Sequence, residues 1–379
     1  MSKRIFIATT VDITLTSFVI PAARILKEHG WDVTLACNMS KRFLEVYKGE
    51  FHCIDVPISR GSSVKELLTM PFFFKKIFSA NKYDIVQYAT PNASLYVSYG
   101  ARWAGVKKRL YCQWGIRYVG FSGFRRALFK SIEKITCKNS THIRPASWKN
   151  LDFAVDEGLY QRDKATVIGD GGTVGINLGE YDFSLKSSNK RLVIEQYPQL
   201  KNKMVFCFVG RLNRDKGAFE LLEAFLRISA ERDNVALLQI GDMEDNLPAH
   251  LECVRRNPNV ILTGWTSEVP KYISAADVLV HPSYREGFSM VIQQAMAMEV
   301  PIITTDIPGP SEVIEPNVSG ILAKPKDVDT LYECMKWMVE HPEERLIMGR
   351  EGRKRCEEKF NRDRMLQLTL EDREKILNE

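Results

Sequence analysis

Two basic residues and one acidic residue stand at the mouths of apolar runs in the second half of this sequence. The first run, 204–209, stops at Gly210 and leads into Arg211-Leu212-Asn213-Arg214-Asp215-Lys216-Gly217. A helix is expected to begin near Asp215. Arginine offers a planar fork and lysine a point charge, so Arg211 and Lys216 beside a helix start suit the grip of a diphosphate. The alternative is a solvated loop with ordinary surface cations. The second run, 278–280, stops at His281-Pro282-Ser283, and Glu286 and Gly287 are expected to open a helix carrying Ser289, Gln293 and Gln294. Free backbone N–H groups and the helix dipole attract anions at such a place. Gly287 has no side chain to hold a phosphate or sugar away. Glu286 reads either as a helix cap, worth roughly 0.5–2 kcal/mol, or as an acceptor for sugar hydroxyls. In the second case the N–H groups of Gly287, Phe288 and Ser289 meet the sugar or phosphate. Gln294 follows about two turns along the same face and suits a ribose diol; the alternative is a surface glutamine. A third turn, Gly309-Pro310-Ser311-Glu312, resembles the first two, with Glu312 read as a cap.

These residues need elements to hold them. Short apolar strands alternate with amphipathic helices along the whole chain, a pattern that argues for parallel sheets covered on both faces. Strands are predicted near 4–9, 32–37, 52–56, 84–88, 109–113, 142–145 and 165–168. Helices near 17–29, 62–80, 92–104, 122–139 and 147–157 separate most of them. A glycine-rich break, 169–175, interrupts the pattern. It restarts with strands near 204–209, 235–240, 259–262, 278–280, 301–304 and 320–322, and helices near 215–230, 247–256, 268–275, 287–298, 327–340 and 343–359. The expected architecture is α/β, with two tandem Rossmann-like doubly wound domains. The boundaries are 1–172 for the first domain, 173–361 for the second, and 362–379 for a last helix that crosses back to the first. Ligands then bind at the carboxyl ends of the strands, in an interdomain cleft.

Composition narrows the function. At 379 residues, two domains are the natural division. The eight cysteines are scattered with no metal-ligand spacing, which suits reduced thiols in the cytoplasm. Lys3-Arg4 precedes only five apolar or small residues, better suited to a first strand than to an export signal. No run approaches the roughly 18 apolar residues of a membrane span. Residues 1–180 hold 26 Lys and Arg against 15 Asp and Glu, while the remainder holds 27 against 32, for a net charge of +6. The first half therefore faces something anionic. No helix-turn-helix, zinc or RNA-binding signature accompanies its basic spots, so nucleic acid is not expected. Pro71-Phe72-Phe73-Phe74-Lys75-Lys76 points instead to an anionic membrane surface; the alternative is a phenylalanine cluster in the core beneath solvated lysines.

Gly210, Arg211, Leu212, Lys216 and Gly217 match the G-R-L-x-x-x-K-G pattern of family 4 of the retaining glycosyltransferases, and the whole chain resembles that family, whose fold is the two-domain GT-B. The resemblance implies that Arg211 and Lys216 hold the diphosphate of a nucleotide sugar. The family has two glutamates with seven residues between them. Glu286 stands at the first position, which contacts the sugar, and Gln294 replaces the second, which holds the ribose. The segment 169–177 is similar to the hinge of capsule, O-antigen and exopolysaccharide transferases that use UDP-linked N-acetylated sugars. The Ser59-Arg60 turn and the Arg117-Tyr118 pair also look like theirs. Where the family often has histidines in H-x-H-T-P and H-G, this chain has Gln87, Ala89 and Trp114, which implies an altered acceptor site.

The expected protein is thus a cytoplasmic retaining glycosyltransferase, peripheral on the inner face of the membrane. It moves a sugar, an N-acetylated hexose or a relative, from UDP to an undecaprenyl-diphosphate-linked glycan. Arg211, Lys216 and Glu286 carry the chemistry. Gly210, Gly287, Phe288, Ser289 and Gln294 line the nucleotide sugar. Asp12, Thr14, Arg60, Trp114 and Arg117 hold the acceptor, although Asp12 and Thr14 equally suit loop capping. No Asp-x-Asp signature with metal-ligand geometry stands out, so neither a metal nor a cofactor is expected to be required. The rivals are a UDP-N-acetylglucosamine 2-epimerase-like enzyme and a non-catalytic sugar-nucleotide binder in a polysaccharide assembly complex.

Overall fold

The computed structural model describes residues 3–59, 61, 64–243 and 247–379. The chain divides into two units, residues 1–174 with 363–379 and residues 175–362.

The first unit is built on a six-stranded parallel sheet: β1 Lys3–Val11, β2 Trp31–Asn38, β3 His52–Asp55, β4 Ile85–Ala89, β5 Lys108–Gln113 and β6 His142–Pro145. Its order is β3-β2-β1-β4-β5-β6. Central strands such as Ile5-Phe6-Ile7-Ala8 are buried on both faces, as expected for parallel strands sandwiched between helices. The helices of this unit are α1 Asp12–Phe18, α2 Ile20–Glu28, α3 Lys41–Tyr47, α4 Val64–Ala80, α5 Pro91–Trp103, α6 Gly123–Asn139 and α7 Trp148–Asp156. One core packs Phe74 and Phe78 of α4 and Tyr96 and Val97 of α5 against Phe6, Val86 and Tyr111. At Gly100 a Cβ would meet Phe74 Cβ at 2.5 Å and the Pro71 carbonyl oxygen at 2.9 Å, so glycine permits this helix pair to approach. The opposite core joins Leu15, Val19, Leu26, Trp31 and Phe43 to Leu370 and Ile376.

The last two residues come from a C-terminal helix, Arg362–Asn378. Its Asp372 pairs with Arg144 at 2.7 Å, and Arg373 Nε donates to Gln87 Oε1 at 3.0 Å. Gln87 is therefore a packing partner of this helix.

The second unit repeats the plan: β7 Met204–Val209, β8 Val235–Ile240, β9 Val260–Leu262, β10 Val278–His281, β11 Ile302–Thr305 and β12 Gly320–Ala323. Its order is β12-β11-β10-β7-β8-β9, the same topology as the first sheet. The helices are α8 Lys186–Gln196, α9 Ala218–Glu231, α10 Val269–Ile273, α11 Met290–Ala297, α12 Pro310–Val313, α13 Val328–Glu340 and α14 Pro342–Lys359, and the C-terminal helix above becomes α15. Each doubly wound sheet has one switch point, where connections leave in opposite directions and ligands bind. Here these lie between β1 and β4 and between β7 and β10.

Several predicted elements differ, among them the helix over 247–256, which is a 3-10 run, Ala249–Arg256. The run 165–168 is no strand; it meets β6 through a single bridge from Ala165 to Ile143, beyond the sheet edge. The helix predicted over 17–29 is α2, Ile20–Glu28, and a separate short helix, α1, precedes it. Pro21 lacks an N–H and fits only the first turn of a helix, so a new one starts there.

Candidate active site

At the switch point of the second sheet, the loop after β7 crosses the loop after β10. Gln239 Nε2 donates to the Gly210 carbonyl at 3.1 Å, and Leu212 is buried. Asn213 Oδ1 then accepts from Lys216 N at 3.2 Å, closing one 3-10 turn, Arg214–Lys216. Gly217 follows at φ +69°, and a Cβ there would fall onto the Pro282 carbonyl oxygen, far inside van der Waals contact. Only glycine lets the two loops touch. Tyr284 N donates to Asp215 O at 3.0 Å, and Arg285 pairs with Asp215 at 2.7 Å.

This crossing brings Lys216 and Glu286 together. Lys216 Nζ pairs with Glu286 Oε1. Ser283 Oγ donates to the same oxygen at 3.3 Å. Burial pushes the Glu286 carboxyl up, but the Lys216 ammonium and the Ser283 hydroxyl outweigh it and hold the carboxyl below its usual range. Glu286 is thus an ionised acceptor at neutral pH, beside a cation that keeps two further N–H donors. Arg211 is exposed at the mouth of β7.

His281, at the end of β10, was not singled out from the sequence. Its Nε2 lies 3.1 Å from Ser289 Oγ and 3.6 Å from Glu286 Oε1, and its Nδ1 is buried without a hydrogen-bond partner among the described residues. Burial lowers its pKa to about 4, with Lys216 adding to the depression and Glu286 opposing it. The imidazole is therefore neutral at pH 7. An unfolded histidine titrates near 6.5, so the folded state loses stability as pH falls from about 6.5 towards 4. Over that window His281→Asn is expected to remove about 2–3 kcal/mol of the acid sensitivity. Urea midpoints at pH 7.5 and 4.5 check this; an equal pH difference in wild type and variant contradicts it.

The helix predicted to open at Glu286 and Gly287 begins later. Ser289 is the N-cap of α11, its Oγ accepting from Ile292 N at 3.4 Å. Glu286 is therefore not a helix cap; it lies in the loop before the helix, drawn to Lys216. Phe288 packs its ring on Phe360, centroids 5.3 Å apart. Gln294 is on α11, with its amide beside the Tyr181 hydroxyl. Glu312 accepts from Gly309 N at 3.2 Å and caps α12.

In the first unit, Asp12 opens α1 after β1 and accepts from Ser40 N at 3.0 Å. Burial raises its carboxyl, but hydrogen bonds from Ser40 and from the backbone of Ile13 and Asp12 together leave it lowered. Thr14 lies on α1. Trp114 stacks at a tilt on Phe18, 5.7 Å between centroids, and the Arg117 guanidinium lies 4.5 Å over the Phe129 ring. Arg60 is outside the described residues. Thr90 follows β4 with φ +68°, a costly conformation for a β-branched residue. Its Oγ1 lies 2.7 Å from Thr10 Oγ1, which follows the neighbouring strand segment of β1. The Thr-Pro pair gave no sequence sign of this strain.

Comparison with known proteins fits this geometry. The family model for Glycosyl transferases group 1 matches residues 189–355, and that for Glycosyl transferase 4-like matches residues 7–146. The capsular polysaccharide biosynthesis glycosyltransferase CapM of Staphylococcus aureus is 29% identical over 343 residues, 89% of this chain and 88% of that one. An Escherichia coli UDP-Gal:alpha-D-GlcNAc-diphosphoundecaprenol alpha-1,3-galactosyltransferase is 24% identical, covering 82% and 81%. A glycosyltransferase structure from Rickettsia africae superposes with TM-score 0.80 at 20% identity over 99% of both chains. Anabaena HepE in complex with UDP gives 0.78 at 15% over both whole chains. The fold is GT-B. Each half of the chain carries a glycosyltransferase domain, and the protein is a hexosyl-type glycosyltransferase whose relatives build bacterial polysaccharides.

Proposed function

We propose that this chain is a retaining glycosyltransferase of family 4 that moves an N-acetylated hexose, or a relative, from UDP to an undecaprenyl-diphosphate-linked glycan. The observation that carries the reading is the meeting of Lys216 and Glu286 at the switch point of the second sheet. UDP in the HepE complex and the lipid-linked acceptor in the Escherichia coli relative's name support donor and acceptor.

In this reading Arg211 and Lys216 take the charge that grows on the departing diphosphate. That oxyanion accepts the proton of the attacking hydroxyl on the same face of the sugar, so no protein base is needed. Glu286, kept ionised by Lys216, accepts hydrogen bonds from the sugar hydroxyls. Gly210 leaves room at the mouth of β7, the N–H groups of Gly287, Phe288 and Ser289 meet the sugar or phosphate, and Gln294 holds the ribose. Asp12, Thr14, Arg60, Trp114 and Arg117 serve the acceptor. Most of the rate then comes from charge stabilisation and positioning.

The acceptor's lipid places the enzyme on an anionic membrane surface. On α4, Leu68 and Phe72 are 65% and 62% exposed, and Phe124 at the start of α6 is 82% exposed. Both helices pack against α5. Together they hold eight Lys and Arg against two Glu, and of those two Glu133 is buried. Exposed aromatic and aliphatic side chains among cations suit an interface of acyl chains and anionic headgroups.

Donor turnover with a lipid-linked acceptor in anionic vesicles tests the reading. Sugar transfer that requires acceptor is expected. Phe72→Ser with Phe124→Ser should slow it on vesicles and leave it unchanged on a short-chain soluble acceptor. Donor consumed without acceptor would favour an epimerase, and tight UDP binding without turnover a non-catalytic binder.

A further inference from the structure

A second cation cluster lies in the first unit, at the amino ends of β5 and β6, the opposite end of the sheet from its switch point. A cavity of about 730 Å³ opens there, within the size range of small-molecule sites. Arg109, Lys134, Lys138 and Lys164 line it, with Asp163 the one acidic side chain and Tyr160 forming part of its wall. Arg109 and Lys164 are half-buried, and Lys134 and Lys138 are exposed at the rim. Among the described residues, none of these four has a carboxylate within ion-pair distance.

Backbone carbonyls answer part of their donor capacity. Arg109 donates Nε to Asn139 O at 2.6 Å and Nη1 to Val106 O, and Lys164 donates Nζ to Cys137 O at 2.7 Å. The Asn139 and Cys137 contacts cap the end of α6, where cations are favoured. Arg109 has five N–H donors and Lys164 three, so capping leaves donors over. Burial pulls both groups below their usual pKa, and Arg109 and Arg102 depress Lys164 further. Lys134 and Lys138 add to the crowding, since like charges four residues apart on a helix repel. Arg109 and Lys164 are thus half-buried without a carboxylate partner, and an anion entering beside the exposed Lys134 and Lys138 would meet four cations and lower the cost of burying the two.

We propose that this cavity binds a phosphate-bearing ligand, held by Lys134, Lys138 and Lys164 beside Arg109 and Tyr160. The shared chemistry is a phosphate mono- or diester group, supplied either by a soluble phosphorylated molecule or by a lipid headgroup. The site belongs to the first unit and does not depend on the donor assignment.

Two probes separate the sources: inorganic pyrophosphate, and a short-chain phosphatidylglycerol kept below its micelle concentration. Each is titrated by calorimetry into the full chain with UDP saturating, and again into Lys216→Ala. The expected result is binding of at least one probe that Lys216→Ala leaves unchanged. Lys134→Gln with Lys138→Gln should weaken it at least tenfold, while the unliganded double variant melts no lower than wild type. Pyrophosphate binding identifies a soluble ligand, and phosphatidylglycerol binding alone a headgroup. Binding of neither probe, or binding equal in wild type and the double variant, overturns the proposal. Loss of binding in Lys216→Ala instead would assign the anion to the donor loops and would likewise overturn it.

Discussion

Lys216→Ala and Arg211→Ala are each expected to lower turnover on the order of 10²-fold or more, with the fold intact. The two cations neutralise charge that develops on a leaving diphosphate, and charge stabilisation of this kind acts on the transition state more than on the bound donor. The loss should therefore fall on kcat as well as kcat/KM. The lysine variant has a second consequence. Glu286 would lose the ammonium that offsets its burial, and its carboxyl would rise. The sign follows from linkage. In wild type a depressed carboxyl pKa contributes stability above the unfolded value near 4.3, lost as pH falls through the folded value. In the variant that contribution disappears. Steady-state rates and circular dichroism of both variants test this, and unchanged turnover in both rejects the phosphate-grip assignment.

Gly217→Ala is expected to do more structural harm than its size suggests. The left-handed conformation costs a non-glycine residue about 1–2 kcal/mol, and an inserted methyl in a filled space about 1–3 more. Its Cβ would strike the Pro282 carbonyl oxygen, so the loops after β7 and β10 must part. The Tyr284–Asp215 backbone bond and the Lys216–Glu286 pair depend on that contact. The second unit should lose about 2–5 kcal/mol, read from urea midpoints, and turnover should fall with it. A variant of normal stability and normal rate would mean that the loop crossing does not build the site.

Much of this arrangement was legible before the structure. Apolar runs buried on both faces read as parallel strands because no alternation interrupts them, and twelve of the thirteen expected runs are strands. The exception, 165–168, has the right residues but lies past the sheet edge, a fact of topology that local sequence does not carry. The glycine-rich Arg211 loop was visible as a strand ending beside cations. Its contact with Glu286, 70 residues on, became an inference only through the sheet order that sets β7 beside β10. The start of α11 was misread although Ser289 bears the N-cap signal, because Gly287 and the carboxylate before it drew the helix start forward. His281 was passed over: one buried histidine at a strand end is ordinary, and only its distances to Ser289 and Glu286 give it meaning. Gln87 stands where the family resemblance expects a histidine near the acceptor. Its partner is Arg373, 286 residues away, which no local pattern announces.

The most direct test of the central claim is a structure of this protein with uridine diphosphate bound. The account predicts the diphosphate within hydrogen-bond distance of Lys216 Nζ and the Arg211 guanidinium, with the ribose against α11 near Gln294. Well-ordered nucleotide held away from both the 210–217 and 281–294 segments would contradict it.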